Sequence, residues 1–285
     1  MRKGIIQKLT MLAFVAMVGI PAFAQGGKFG TNAGVATTIG EGHVAGDVFD
    51  LEELQYYVID TESGLNLKVI GFASYISGKT GDPTLLESKY AGTVTIPHYL
   101  DPADVGVAAH VSSVAANAFT TTVLYPTAPG NSADSKDQFA AAAAKVTKLE
   151  IDYSPTEITA EFGANAFAGL TALTQVENFT PGDKVLGFDD SVFEITRYTK
   201  VSLVVPNGAI LGYSGAEGWT NFMKMSDGTV IRGDVDGDDI VDDFDYACII
   251  DLFLSNGYDP AYDLDGDGFV DDFDAAIAIE IFNAY

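Results

Sequence analysis

An aspartate-rich stretch of twenty residues is written twice near the end of this 285-residue chain, and it constrains the fold more than any other feature. The first copy, DVDGDDIVDDFDYACIIDLF, begins at Asp234, and the second, DLDGDGFVDDFDAAIAIEIF, at Asp263. At this offset of 29 residues, 12 of the 20 positions are identical, among them Asp at positions 1, 3, 5, 9 and 12 and Gly at position 4. Oxygen donors at alternate positions of a Gly-bearing loop, followed by a helical pattern, suit a hard divalent cation.

Calcium takes about six to eight oxygens at roughly 2.3–2.6 Å, and a 12-residue loop supplies them from positions 1, 3, 5, 7, 9 and 12. The spacing therefore nominates Asp234, Asp236, Asp238, the carbonyl of Ile240, Asp242 and Asp245 in the first loop. The second offers Asp263, Asp265, Asp267, the carbonyl of Phe269, Asp271 and Asp274, for two calcium ions in all. Position 6 must turn with positive φ, which Gly268 does freely and Asp239 does less comfortably. The first loop is thus expected to bind more weakly. Residues 232–285 hold 16 Asp and Glu against one Arg. A disordered acidic tail would lack their regularly placed Ile, Phe, Val and Leu.

An ordinary EF-hand has a helix before each loop, whereas here KMSDGTVIRG and SNGYDPAY precede the loops, with turn residues in both. Each unit reads as a loop followed by a helix, and position 12 is Asp rather than Glu. With these features residues 232–285 resemble a type I dockerin, the duplicated module that plugs into a cohesin domain. The resemblance places partner-reading residues at loop positions 10, 11, 17 and 18. These are Asp243, Phe244, Ile250 and Asp251, then Asp272, Phe273, Ile279 and Glu280; Phe at position 11 departs from the family's common Ser or Thr. The likeness of the two halves suggests docking in two orientations related by a 180° turn. Phe244, Cys248, Leu252 and Phe273, Ile277, Ile281 recur at helical spacing and are expected to form the core between the helices. Cys248, the sole cysteine, reads as a small buried hydrophobe.

Residues 1–24, MRKGIIQKLTMLAFVAMVGIPAFA, have a basic start, a 12-residue apolar run from 9 to 20 and a small-residue cleavage pattern. They read as a secretory signal peptide, too short to span a bilayer, with a mature start at Gln25. Localisation is then secreted, extracellular or cell-surface associated, with no membrane insertion. The net charge of −25 argues against nucleic acid. Residues 25–52 read as a flexible Gly/Ala/Thr lead-in and 226–231 as a linker.

Residues 53–225 show short strands between turns: 55–60, 65–72, 92–97, 110–115, 146–151, 173–179 and 200–206. Asn117-Ala118-Phe119, Asn165-Ala166-Phe167 and Ser191-Val192-Phe193 mark similar points, 48 and then 26 residues apart. Half of 48 suggests a unit of about 24 residues, within the range of leucine-rich repeats, and four or five rungs. ANAFAGLTALTQVENF, GTVTIPHYL and HVSSVAANAF resemble the BspA-like leucine-rich repeats of bacterial surface proteins. KVSLVVPNGAILGYSGAEGWTNF resembles their last repeat, with Trp219 and Phe222 closing the open end; QYYVIDTESGLNLKVIGF resembles their N-terminal strands. An irregular Ala/Ser/Asp-rich segment at 120–145 interrupts the pattern.

The expected fold class is mixed and mainly β: a leucine-rich-repeat solenoid of short strands with a small all-α calcium-binding domain of paired loop–helix units. The three histidines, His43, His98 and His110, are scattered, and no catalytic motif is present. The sequon Asn178-Phe179-Thr180 reads as idle. The first reading is a secreted, non-enzymatic binding protein whose repeats recognise a host or matrix protein or a glycan, tethered through a cohesin-bearing scaffold. The alternative is an enzyme or accessory subunit of a polysaccharide-degrading complex.

Overall fold

The computed structural model describes residues 44–51, 54–62, 64–72, 92–100, 107–120, 142–155 and 160–285. The signal peptide, most of the lead-in, His43 and most of the inserted 120–145 segment lie outside them.

Eleven strands carry the first part of the described chain. They are β1 (Val48–Leu51), β2 (Leu54–Asp60), β3 (Leu65–Phe72), β4 (Gly92–Ile96), β5 (Tyr99–Leu100) and β6 (Ala109–Val114), then β7 (Val146–Ile151), β8 (Glu161–Phe162), β9 (Gln175–Asn178), β10 (Ser202–Val204) and β11 (Lys224–Ser226). A short helix, α1 (Ile210–Ser214), falls between β10 and β11. Two longer ones, α2 (Asp243–Leu254) and α3 (Asp272–Ala284), follow.

One sheet runs β4-β7-β9-β10-β11, parallel throughout and in chain order. Parallel neighbours in chain order are the mark of a solenoid, in which each coil stacks on the last. In register, Val94, Leu149, Val176, Leu203 and Met225 form one buried column. Their spacing is 55, 27, 27 and 22 residues, so the regular unit is 27 residues rather than 24. Halving the 48-residue interval was the error: Asn117 N–H donates to Ala164 O and Phe119 N–H to Ala166 O, so these turns are direct neighbours. The 48-residue interval is therefore a single step of the stack. Five rungs stand in this sheet among the described residues.

A second sheet was not anticipated. β3, β6 and β8 also pair in parallel, so the early coils carry two strands each. β2 falls in the N-terminal strands that the resemblance implied, whereas β1, antiparallel to it, lies in the 25–52 segment that reads as a flexible lead-in and is ordered there by pairing with β2. The two-residue β8 is too short to show as alternation in the sequence.

The turns between the sheets are held by a ladder of phenylalanines. Phe72, Phe119, Phe167, Phe193 and Phe222 follow one another with ring centroids 4.9, 5.7, 5.1 and 5.3 Å apart, and each is almost fully buried. Each such pair contributes about 0.5–1.5 kcal/mol beyond its area burial. Asn117 and Asn165 precede two of these rungs with φ of 60° and 56°, a region Asn enters more readily than other side-chain-bearing residues. Asn178 is buried, and its Oδ1 accepts from Thr180 N–H at 3.0 Å. A glycan has no room there, which accords with an idle sequon.

The C-terminal segment has its own core of Val241, Ile249, Leu264, Val270, Ala275, Ala278 and Ile281. Of the expected stripe, Ile281 belongs to this core and Leu252 and Ile277 pack against it, while the rest is displaced. Phe244 and Phe273 are 69% and 67% exposed, not core. Cys248 is half-buried rather than buried, and desolvation, then Asp236, Asp245 and Asp251, push its thiol up. Among the described residues no helix is long and apolar enough to cross a membrane.

Candidate metal centre and docking face

The two acidic loops fold by the same set of backbone contacts. In the first, Asp234 Oδ1 accepts from Gly237 and Asp238 N–H and Oδ2 from Asp239 N–H, at 2.8, 3.1 and 3.0 Å. In the second, Asp263 does the same to Gly266, Asp267 and Gly268, at 2.7, 3.1 and 2.9 Å. The position-1 carboxylate thus gathers its loop around itself. Position 3 accepts from the amide of position 5, and position 5 from that of position 7, in both copies. The exposed side chains of Ile240 and Phe269 occupy position 7.

Positions 9 and 12 do a second job, which the sequence reading missed. Asp242 and Asp271 are helix N-caps that accept from Phe244 and Phe273 N–H at 2.8 Å. Asp245 and Asp274 sit three residues on and accept from the N-cap amides at 2.8 Å, completing a capping box at each helix. Their other oxygens reach back to the loop start: Asp245 Oδ1 to Val235 N–H at 2.7 Å, Asp274 Oδ1 to Leu264 N–H at 2.6 Å. An Asp at position 12 is therefore the residue that ties loop to helix.

Carboxylate oxygens of Asp234, Asp236 and Asp245 lie within 4.8 Å of one another, as do those of Asp263, Asp265 and Asp267. Asp238, Asp242, Asp271 and Asp274 stand outside these clusters, though in the same loops. Like charges this close disfavour ionisation. Desolvation, then Asp238, Asp245 and Asp234, push Asp236 up. Burial also raises Asp265 and Asp274; backbone hydrogen bonds oppose it, and Asp263 adds to the rise at both. An all-oxygen, anionic donor set with this crowding is what a hard divalent cation relieves.

Position 6 bears out the demand for positive φ: 67° at Asp239 and 92° at Gly268. Relieving an Asp in that region is worth about 1 kcal/mol. Asp239→Gly in the full chain is expected to raise first-loop calcium affinity about three- to tenfold, read by calcium titration. Unchanged affinity would show that position 6 does not limit the loop.

Asp243, Phe244, Asp251, Asp272, Phe273, Ile279 and Glu280 are exposed; Ile250 is half-buried against the core. Positions 10 and 11 open each helix, and positions 17 and 18 lie two turns further along the same face.

The chain matches the family of the dockerin type I domain over residues 232–283. This segment is a type I dockerin. Type I dockerins bind calcium, and the donors of both loops suit it. No curated protein shows significant similarity to the chain. A solved leucine-rich repeat protein from Bacteroides capillosus aligns with 63% of this chain and 88% of its own, at 10% identity and a TM-score of 0.27. That alignment is too loose to define the fold, which rests on the strand pairings above. The dockerin and the solenoid meet without a free linker. Residues 226–231 form a turn in which Asp227 accepts from Gly208, Thr229 and Val230 N–H and from Thr229 Oγ1. Burial pushes the Asp227 carboxyl up, but these bonds outweigh it and hold the group at about 2.

Proposed function

We propose that this chain is a secreted or cell-surface, non-enzymatic binding protein. Its dockerin docks on a cohesin-bearing scaffold, and its solenoid displays a recognition surface. The observation that carries the reading is the duplicated calcium loop, with an outward Phe at position 11 of each copy. Around these rings lie Asp243, Asp251, Asp272 and Glu280, all exposed. The matching face of a cohesin would pair apolar hollows with Lys or Arg.

The solenoid's recognition surface would be the outer face of its parallel sheet. Thr93, Lys148, Gln175, Ser202 and Lys224 align in one row across the five strands. Thr95, Glu150 and Glu177 align in the next, where Lys148 forms ion pairs with Glu150 and Glu177 and Thr95 donates to Glu150 at 2.9 Å. Such a flat, polar, rigidly spaced surface suits a protein or a glycan ligand. Two calcium ions, one per loop, would order the dockerin.

Capture of the full chain by cohesin domains, with calcium and with EDTA, tests the proposal. Binding that requires calcium supports it; binding to none of a broad cohesin set counts against it. Hydrolysis of plant or host polysaccharides by the purified chain would overturn the non-enzymatic part.

A further inference from the structure

The lone basic residue of the dockerin lies where the two halves of the molecule meet. Arg232 is 2% exposed. Its Nη1 donates to Thr220 O at 2.9 Å and Phe222 O at 3.3 Å, in the last turn of the solenoid. Its Nε donates to Leu264 O at 3.1 Å, and Nη2 reaches the same oxygen. Leu264 is position 2 of the second calcium loop, and its own N–H is held by Asp274. The Arg232 backbone N–H closes on Met225 O at 2.8 Å, in the last strand of the sheet. A buried guanidinium needs all its donors engaged. Here four such bonds go to three backbone carbonyls, drawn from both domains.

Three further contacts line the same junction. A Cβ on Gly266, position 4 of the second loop, would sit 2.9 Å from Gly215 N, so loop and solenoid backbones touch. Met223 and Ile231 pack against the dockerin core. Lys224 Nζ lies 5.2 Å from the ring centroid of Tyr285. A solenoid must cover the apolar end of its last coil. Trp219 and Phe222 are inside the stack, and the next layer is the dockerin.

We infer that the second calcium loop, strapped by Arg232, is the C-terminal cap of the solenoid, so that calcium taken up by the dockerin also stabilises the last rungs of the repeat domain. A cation in this loop does not repel the strap. Asp263, Asp265, Asp267, Asp271 and Asp274 outweigh its two charges, and the guanidinium is bonded to a carbonyl rather than to a donor carboxylate. The cap would also fix the solenoid's orientation on any scaffold the dockerin joins. The inference rests on the calcium reading given under the proposed function.

Trp219 is the sole tryptophan and is buried at the solenoid's end, so its fluorescence reports that end. Far-UV circular dichroism of α2 and α3 reports the dockerin. In the full chain, about 1 mM calcium is expected to raise the Trp219 melting midpoint by about 5 °C or more. In Arg232→Met, calorimetry should still show calcium uptake and the helix signal should still rise, while the Trp219 shift falls below half. Should that variant not fold, hydrogen exchange on the wild-type chain decides: segment 202–226 is expected to exchange several-fold more slowly with calcium. Calcium uptake with no Trp219 shift and no added protection overturns this inference alone. No uptake at all overturns it together with the docking proposal.

Discussion

Chelating calcium from the full chain is expected to melt α2 and α3 at room temperature, and restoring it to bring them back. The dockerin has a core of only seven buried apolar residues, four of them valine or alanine (Val241, Val270, Ala275, Ala278). A core of that size rarely supplies more than about 3–5 kcal/mol. Against it stand two clusters of three carboxylates, each within 4.8 Å. Carboxylates this close repel one another, and burial sharpens the repulsion at Asp265 and Asp274. The backbone amides gathered by Asp234 and Asp263 offset part of this, and the ion offsets the rest. At a concentration a thousand times its dissociation constant, each ion adds about 4 kcal/mol to the folded state. Binding free energy is then folding free energy. The check is far-UV circular dichroism with and without EDTA, in which the contribution of the 12- and 13-residue helices should vanish and return. A chain that keeps its full helix signal in EDTA would show that the fold does not depend on the metal.

The calcium loops were legible because their chemistry is local: a donor at each odd position of a short loop needs no partner from elsewhere in the chain. The Phe turns were legible for a similar reason, since each repeat marks itself. What failed was inference across distance. The turns at Asn117 and Asn165, 48 positions apart, are direct neighbours, and length cannot distinguish one long step from two short ones. KMSDGTVIRG reads as turn and strand chemistry, but the bounds of β11 come from its pairing with β10 and are not written in the stretch itself. In α2 the buried stripe lies one position on from the expected one, at Asp245 and Ile249, while in α3 Ile281 is buried as expected. Phe244 and Phe273 fit the spacing, but the capping boxes turn Asp245 and Asp274 inward and roll the Phe rings to the surface. The sequence assigns Arg232 no role. A single cation among 16 acids was the signal available, and only the fold shows what it ties together.

Replacing Phe244 alone by Ala is expected to raise the dissociation constant for a cohesin about twofold, and replacing Phe244 and Phe273 together by at least about thirtyfold. Burying one Phe ring in an interface is worth about 2–4 kcal/mol when it anchors the contact. If each copy of the loop can present its own ring, one substitution removes only one of two equivalent modes, which costs a factor of two. Both substitutions remove the anchor from every mode. The solenoid leans on the second loop through Arg232 and Gly215, so the second copy stood to lose access. It does not: Phe273 and Phe244 are exposed to nearly the same degree, 67% and 69%. Titration of the two variants against an immobilised cohesin in calcium decides the matter. Loss of all binding in the single variant would mean one orientation only. An unchanged double variant would remove the Phe rings from the docking face, and since both are exposed and cap no core, neither result can be blamed on unfolding once the helix signal is intact.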